Sequence, residues 1–207
     1  MKSRSAEHSP SALTRRRLVR ATQDAIRELG LPGATAREIT GRAGANLAAI
    51  PYHFGSKDAL VTEALIADAH TIVDPVLELL ASDRPPVDRA LEAAALLNQR
   101  FDSERDRVPA LLTAIARAPH SPEAANGLAA LWAAVRIRVA EDLRALVDTG
   151  HVPAWVEPDA MAALILAVVS GVVVASVADP DGPSHDAVGA QFLGLLMAVA
   201  AGGAVQS

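Results

Sequence analysis

Residues 35–60 read TAREITGRAGANLAAIPYHFGSKDAL, and the helix boundaries in this stretch decide the fold. Thr35 stands three residues before Glu38, which is the spacing of a capping box and predicts that a helix begins there. Gly44 is predicted to end that helix, because glycine adopts the left-handed conformation of a helix C-terminus without steric cost. The stretch therefore starts with a short helix and a tight turn.

A second helix is predicted from Leu47 to about His53, with Asn46 as its cap. Gly55 then breaks the chain, and Ser56 is a suitable cap for a third helix. Lys57 falls at the start of that third helix, where a positive charge opposes the helix dipole. A helix–turn–helix followed by an unfavourably placed lysine indicates a surface that meets an anion.

The ordered pattern that these residues form resembles the DNA-binding region of the TetR family of bacterial transcriptional regulators. The matching positions are Ala43, Gly44, Ile50, Tyr52, His53, Phe54, Ser56, Lys57, Asp58 and Leu60. The resemblance covers about the first 60 residues and includes a first helix closed by Gly30. Pro51 departs from it, since the family usually has tyrosine there. Because proline cannot donate a helical hydrogen bond, we expect a short or kinked second helix.

The resemblance implies that the second helix enters the major groove of double-stranded DNA. The candidate DNA-binding residues are Thr35, Arg37, Asn46, Leu47, Ala48, Ala49, Tyr52, His53 and Lys57. Among them, the methyl groups of Ala48 and Ala49 are suited to contact with thymine methyls. Lys57, with Thr35 and Tyr52, is expected to contact phosphates, which fixes the position of the protein on DNA without reading its sequence.

Charge divides the chain into two regions. Residues 1–57 hold ten Lys and Arg against four Asp and Glu, whereas residues 58–207 hold nine against twenty. A basic module on an acidic body is typical of a protein that binds phosphate with one end. We therefore expect a DNA-binding domain with a basic arm at 1–57, and a helical effector-binding and dimerisation domain at 58–207. In the arm, Arg15–Arg17 are expected to contact DNA, while Arg4 is equally consistent with a solvated tail.

The remaining chain predicts a succession of helices with no convincing strand, so the fold class is all-α, with about nine helices. Residues 160–178 contain no charged side chain, and none follows Asp186. The first of these segments is long enough to span a membrane, but it has acids at both ends and no basic or aromatic anchors. We expect instead a helix buried on nearly all sides. The last two helices are expected to form a homodimer interface, as the resemblance also implies.

Motifs for catalysis are absent from the sequence: it has no phosphate-binding glycine loop, dinucleotide fingerprint, zinc-protease motif or nucleophile elbow. It has no cysteine, and its six histidines are not paired at ligand spacing, so we expect no metal, no cofactor and no enzymatic activity. The resemblance places a small-molecule effector among the middle helices. The candidate lining residues are Asn98, Phe101, Trp132 and Arg136, although each is more simply explained as core or surface.

Two classes of function are compatible with these observations. The first is a cytoplasmic, ligand-responsive transcriptional regulator, most often a repressor, acting as a homodimer on a pseudo-palindromic operator. The second is a helical enzyme or small-molecule-binding module without DNA binding. The pattern from Gly44 to Lys57, together with the basic arm, favours the regulator. The polar N-terminus is not a secretory signal, which agrees with a cytoplasmic location.

Overall fold

This computed structural model describes residues 9–179 and 181–203 of the chain. That part contains nine α-helices and no strand. In chain order they are α1 (Pro10–Gly33), α2 (Ala36–Ala43), α3 (Ala49–Phe54), α4 (Lys57–Leu80), α5 (Pro86–Ser103), α6 (Val108–Arg117), α7 (Pro122–Asp148), α8 (Pro158–Ala178) and α9 (His185–Gly203). The predicted all-α fold is confirmed. Arg4 lies outside the described residues.

The predicted helix boundaries rest on side-chain caps and on glycines with positive φ. The hydroxyls of Thr35, Ser56 and Ser121 each accept a hydrogen bond from the backbone N–H three residues on, at 3.2, 3.0 and 3.2 Å. Gly44 has a φ of 59° and ends α2, and Gly30, with a φ of 71°, interrupts α1 near its end. These local signals confirm the predicted starts of α2 and α4.

Helix α3 differs from the prediction in its start and its cap. It begins at Ala49 rather than Leu47 and has six residues. Its cap position is Ala48, without a side-chain cap, so the prediction of Asn46 as the cap was wrong. The backbone carbonyl of Asn46 accepts from the N–H of Ala49 at 3.1 Å, because the residues before α3 form a turn. Pro51 lies in the first turn, where a helix needs no N–H donor, and α3 is short rather than kinked there.

Two compact units account for the described chain. The first contains the described residues up to His70 together with Pro109–Leu128, and the second contains Thr71–Val108 and the described residues from Ala129 onward. In the first unit the buried core formed by α1 to α4 consists of Leu18, Ala21, Ala25, Ala34, Ile39, Ala43, Ile50 and Leu60. A buried cluster of the second unit consists of Val76, Leu80 and Ala93.

Helix α8, which carries no charged side chain after Asp159, is largely exposed in the single chain. Only Ala162 and Val173 are buried, whereas Leu164 and Val174 are 50% and 51% exposed. The expectation of a helix buried on nearly all sides is therefore wrong for one chain, because packing within the chain covers only part of its apolar surface. By length and composition α8 would be able to cross a membrane, a test that apolar helices of soluble proteins also pass.

Candidate nucleic-acid interface

The core of the first unit fixes the orientation of the helix–turn–helix. Ile39 of α2 and Ile50 of α3 are almost completely buried and belong to the same cluster as Leu18 of α1. Burying a large apolar side chain stabilises a fold by about 1.5–3 kcal/mol, so these anchors hold both helices against α1. The opposite sides of α2 and α3 are thereby directed to solvent.

Most of the residues that the sequence predicts to bind DNA are exposed. The exposed ones are Thr35, Arg37, Asn46, Leu47, Ala48, Tyr52 and Lys57. Tyr52 is 79% exposed and Leu47 51%, although both side chains are large and mainly apolar. Apolar side chains at the start of a recognition helix are suited to contact with thymine methyls, and a tyrosine hydroxyl is suited to contact with phosphate.

Ala49 and His53 are half-buried, unlike the other candidate DNA-binding residues, which are exposed. Ala49 packs against the core cluster, so it faces inward where Ala48 faces outward. The ring of His53 lies edge-on between two neighbours, with its centroid 4.8 Å from that of Tyr52 and 6.2 Å from that of Phe54. Of the two alanines, Ala48 is therefore better placed to approach a base.

Some arginines of this unit form ion pairs with glutamates of the same unit, which reduces the positive charge that they offer to DNA. Arg42 donates to Glu38 at 2.6 Å and to Glu28 at 2.8 Å, and these hydrogen bonds raise the pKa of Arg42. Arg15 donates to Glu63 at 2.6 Å and lies over the ring of Phe54. The predicted role of Arg15 in contacting DNA therefore competes with contacts inside the protein.

Sequence reasoning missed one group beside the start of α4. Arg117, at the end of α6, donates to Asp58 at 2.5 Å and to Thr62 at 3.4 Å. The pair joins residues 59 positions apart, and no local pattern indicates such a contact. It places a guanidinium next to the residue that follows Lys57.

A groove of about 410 Å³ in the second unit contains two of the four predicted effector-binding residues. Its lining consists of Ala129, Trp132, Ala133, Arg136, Ala163, Leu166, Ala167 and Ser170, from α7 and α8. Arg136 also donates to Asp159 at 3.4 Å. Phe101 is buried elsewhere, and Asn98 lies beside Gly189 of α9, so neither belongs to this groove. Among the described residues, no cluster of His, Asp and Glu is suited to hold a metal ion.

Two family models match this chain and together cover most of it. Residues 18–64 match the model of bacterial regulatory proteins of the TetR family. Residues 86–200 match the model of the C-terminal region of BetI-type transcriptional repressors, which alone is more than half of the chain. The chain therefore belongs to the TetR family of bacterial regulatory proteins. It is a DNA-binding transcriptional regulator, and members of this family are generally not enzymes.

Solved structures share the fold over most of their length. A TetR transcription regulator from Haloarcula marismortui is 22% identical and has a TM-score of 0.72, with 81% of this chain and 88% of that chain covered. A protein described as a transcriptional regulator from Saccharomonospora viridis, in complex with choline, is 20% identical with a TM-score of 0.72, covering 86% and 92%. A transcriptional regulator from Rhodococcus sp. is 23% identical with a TM-score of 0.65, covering 88% and 95%. No curated protein matches the sequence.

Proposed function

We propose that this chain is a cytoplasmic homodimeric repressor that binds a pseudo-palindromic operator and releases it when a small molecule binds. Residues 1–57 would bind DNA, and residues 58–207 would bind the effector and form the dimer. The observation that carries the proposal is the exposed face of a helix–turn–helix whose opposite face is anchored in a buried core. Residues 109–128 of the regulatory region fold in the same compact unit as that helix–turn–helix.

Base reading is assigned to the exposed residues around the start of α3. Leu47 and Ala48 present apolar groups, and Tyr52 is 79% exposed. Asn46, with Arg37 on the preceding helix, supplies hydrogen-bonding groups for base edges. Ala49 and His53 support this face from partly buried positions. Thr35 and Lys57 would flank it with phosphate contacts.

The test of this surface starts from DNA duplexes that the wild-type protein selects from a random-sequence pool. Ala48→Glu places a carboxylate where α3 would approach the bases, and we expect it to abolish binding to the selected duplex. Ala94→Glu is the matched control, because Ala94 is also an exposed alanine but lies on α5. Retention of affinity by Ala48→Glu would remove α3 from the interface.

Surfaces that the single chain leaves uncovered support the proposal of dimerisation through α8 and α9. On α8, the side of Ala163, Leu166 and Ser170 lines the groove against α7. Leu164 and Val174 of the same helix remain half exposed. An uncharged helix surface of this kind is stable in water when a second helix pair covers it, and two-fold symmetry supplies such a pair.

The effector is assigned to the groove between α7 and α8, near Trp132. We favour a small organic cation, because the region beyond residue 57 is acidic and an aromatic face attracts cations. Arg136 in the same groove is paired with Asp159, which reduces its repulsion of a cation. Choline is the first probe to test, since a protein of the same fold carries it.

The effector test measures thermal unfolding with choline and with its uncharged carbon isostere, and then competition with operator DNA. We expect choline alone to raise the melting temperature of the wild type, and Trp132→Ala to abolish the shift. Choline is also expected to weaken operator binding by about 5- to 150-fold, the usual range of allosteric coupling. Stabilisation by small carboxylates instead would contradict the cation and implicate Arg136. Stabilisation without loss of DNA affinity would show binding without regulation.

A further inference from the structure

Arg15 contacts two other elements of the DNA-binding unit from its position on α1. Its Nη2 atom donates to Oε2 of Glu63 on α4 at 2.6 Å. Its Cζ atom lies 4.9 Å from the centroid of the Phe54 ring, at the end of α3. One guanidinium therefore links α1 to both the recognition helix and the helix that follows it.

These two contacts use the properties of arginine that lysine lacks. A planar guanidinium can stack on an aromatic face and hydrogen-bond a carboxylate at the same time, whereas an ammonium is a compact point charge. The hydrogen bond to Glu63 is charge-assisted and short. A phosphate would have to compete with this carboxylate for the same guanidinium.

Phe54 connects Arg15 to the exposed face of α3. Its ring is edge-on to His53, whose ring is edge-on to Tyr52, the most exposed large apolar side chain of the proposed DNA-binding surface. Gly55, with a φ of 77°, follows directly and ends the helix. Fixing Phe54 therefore constrains both the C-terminal end of α3 and the ring that stands beside Tyr52.

We infer that Arg15 is a positioning residue for the recognition helix, held by Glu63 over Phe54, and is not a phosphate contact. The inference rests on the proposed recognition surface and goes beyond it, since it assigns one cation of the basic arm to internal support. Such a residue sets how well the protein distinguishes its operator from other DNA. A phosphate contact would change affinity for all sequences alike.

The experiment compares Arg15→Gln with Arg17→Gln over a series of salt concentrations. Arg17 is a neighbouring exposed arginine of α1 that donates to the hydroxyl of Thr14 at 3.4 Å. Each variant is titrated with the selected duplex and with a random-sequence duplex of equal length. For Arg15→Gln we expect a loss of roughly 3- to 10-fold on the selected duplex, the size of one cation–π contact and one surface ion pair. Its affinity for random DNA and its salt dependence are expected to stay unchanged.

Arg17→Gln is expected to lower the affinity for both duplexes by the same factor and to reduce the slope of log affinity against log salt by about one unit. Arg15→Lys keeps the charge, and we expect it to resemble Arg15→Gln. Glu63→Gln separates the two roles of Arg15 by the direction of its effect on operator affinity. If Arg15 is a phosphate contact, losing the carboxylate frees it and operator binding becomes tighter. If Arg15 is a positioning residue that needs the carboxylate, operator binding becomes weaker. Thermal unfolding of each variant confirms that it is folded.

Equal losses on both duplexes with a reduced salt slope for Arg15→Gln would overturn the inference, as would rescue by Arg15→Lys or tighter operator binding by Glu63→Gln. A wild-type protein that selects no duplex would instead contradict the proposed function, and the inference with it. The two failures are therefore distinguished by the wild-type titration alone.

Discussion

Nη2 of Arg117, the last residue of α6, lies 2.5 Å from Oδ1 of Asp58, in the first turn of α4. The same nitrogen is 3.4 Å from the hydroxyl of buried Thr62. Asp58 adjoins Lys57, the proposed phosphate contact. Arg117 thus supplies a positive charge beside a carboxylate that would otherwise repel the DNA backbone.

Removing Arg117 is expected to weaken DNA binding through the carboxylate that it leaves behind. In the proposed complex, Arg117→Gln would leave Asp58 unpaired near phosphate, and an exposed charge interaction of about 1 kcal/mol corresponds to roughly a 5-fold loss of affinity. Fluorescence anisotropy with labelled duplex measures the effect. The double variant Arg117→Gln with Asp58→Asn is expected to recover the loss. A double variant as weak as Arg117→Gln would mean that Arg117 acts through the packing of α6 instead.

The sequence predicted those parts of the fold that depend on neighbouring residues. Thr35, Ser56 and Gly44 act within one helical turn, so their spacing alone placed the helix ends. The start of α3 was misplaced because Asn46 has the composition of a cap, while the turn there uses its backbone carbonyl. At that position the residue type predicts a side-chain cap, whereas the backbone forms a turn before the helix.

The contacts of the candidate site that were missed join distant parts of the chain. Arg15 and Glu63 are 48 residues apart, and Arg117 and Asp58 are 59 apart. No periodicity indicates which exposed cation meets which carboxylate. The sequence also did not predict that Ala49 faces the core. That direction depends on where α3 begins, because a shift of the helix start by two residues turns a different side of the helix toward the core.

Pro51→Ala is expected to destabilise the chain slightly, by about 0.4–1 kcal/mol. A proline that kinked α3 would give the opposite sign, because alanine would relieve the strain. Pro51 instead occupies the first turn of α3, where backbone N–H groups have no acceptor within the helix. The absence of an N–H on proline therefore breaks no helical hydrogen bond there. Its ring restricts the unfolded chain, so replacing it favours unfolding. Urea denaturation measures the change, and a stabilised variant would indicate strain at Pro51.

Asp142 gives the second unit a pH dependence with a definite sign. It is 5% exposed, and burial raises its pKa above the ordinary 3.8, while the hydrogen bond and charge of Arg89 oppose the shift. The folded chain therefore takes up this proton more readily than the unfolded chain. The stability from this group is complete below the unfolded pKa and is lost as pH rises through the folded pKa.

Asp142→Asn removes this titration and serves as the reference. We expect the free energy of unfolding of the wild type, relative to Asp142→Asn, to fall as pH rises from below 3.8 toward neutrality. Urea denaturation at a series of pH values measures the difference. A difference that grows with pH would mean that Arg89 outweighs burial and lowers the pKa.

Lys57→Ala is expected to weaken binding to all DNA sequences by about the same factor and to reduce the salt slope by about one unit. Lys57 is exposed at the first position of α4, next to the end of the recognition helix. An ammonium there is placed to meet a phosphate rather than a base edge. Titrations of the selected and random duplexes measure both quantities. A change of preference at a single base pair would assign Lys57 to sequence reading instead.

Gly171→Leu tests the dimer through the surface of α8 that the single chain leaves open. No described atom lies within 4 Å of a Cβ built at Gly171, so the fold of one chain accommodates a larger side chain there. In a dimer through α8 and α9, the small residue would allow close approach of helices, and leucine would force them apart. We therefore expect a variant that sediments as a monomer, melts as a folded protein and loses most of its operator affinity, because specific binding needs two half-sites. Gly171→Ala is the mild control and is expected to remain dimeric. A wild-type chain that is monomeric at micromolar concentration, or a Gly171→Leu variant that stays dimeric, would exclude this surface as the interface.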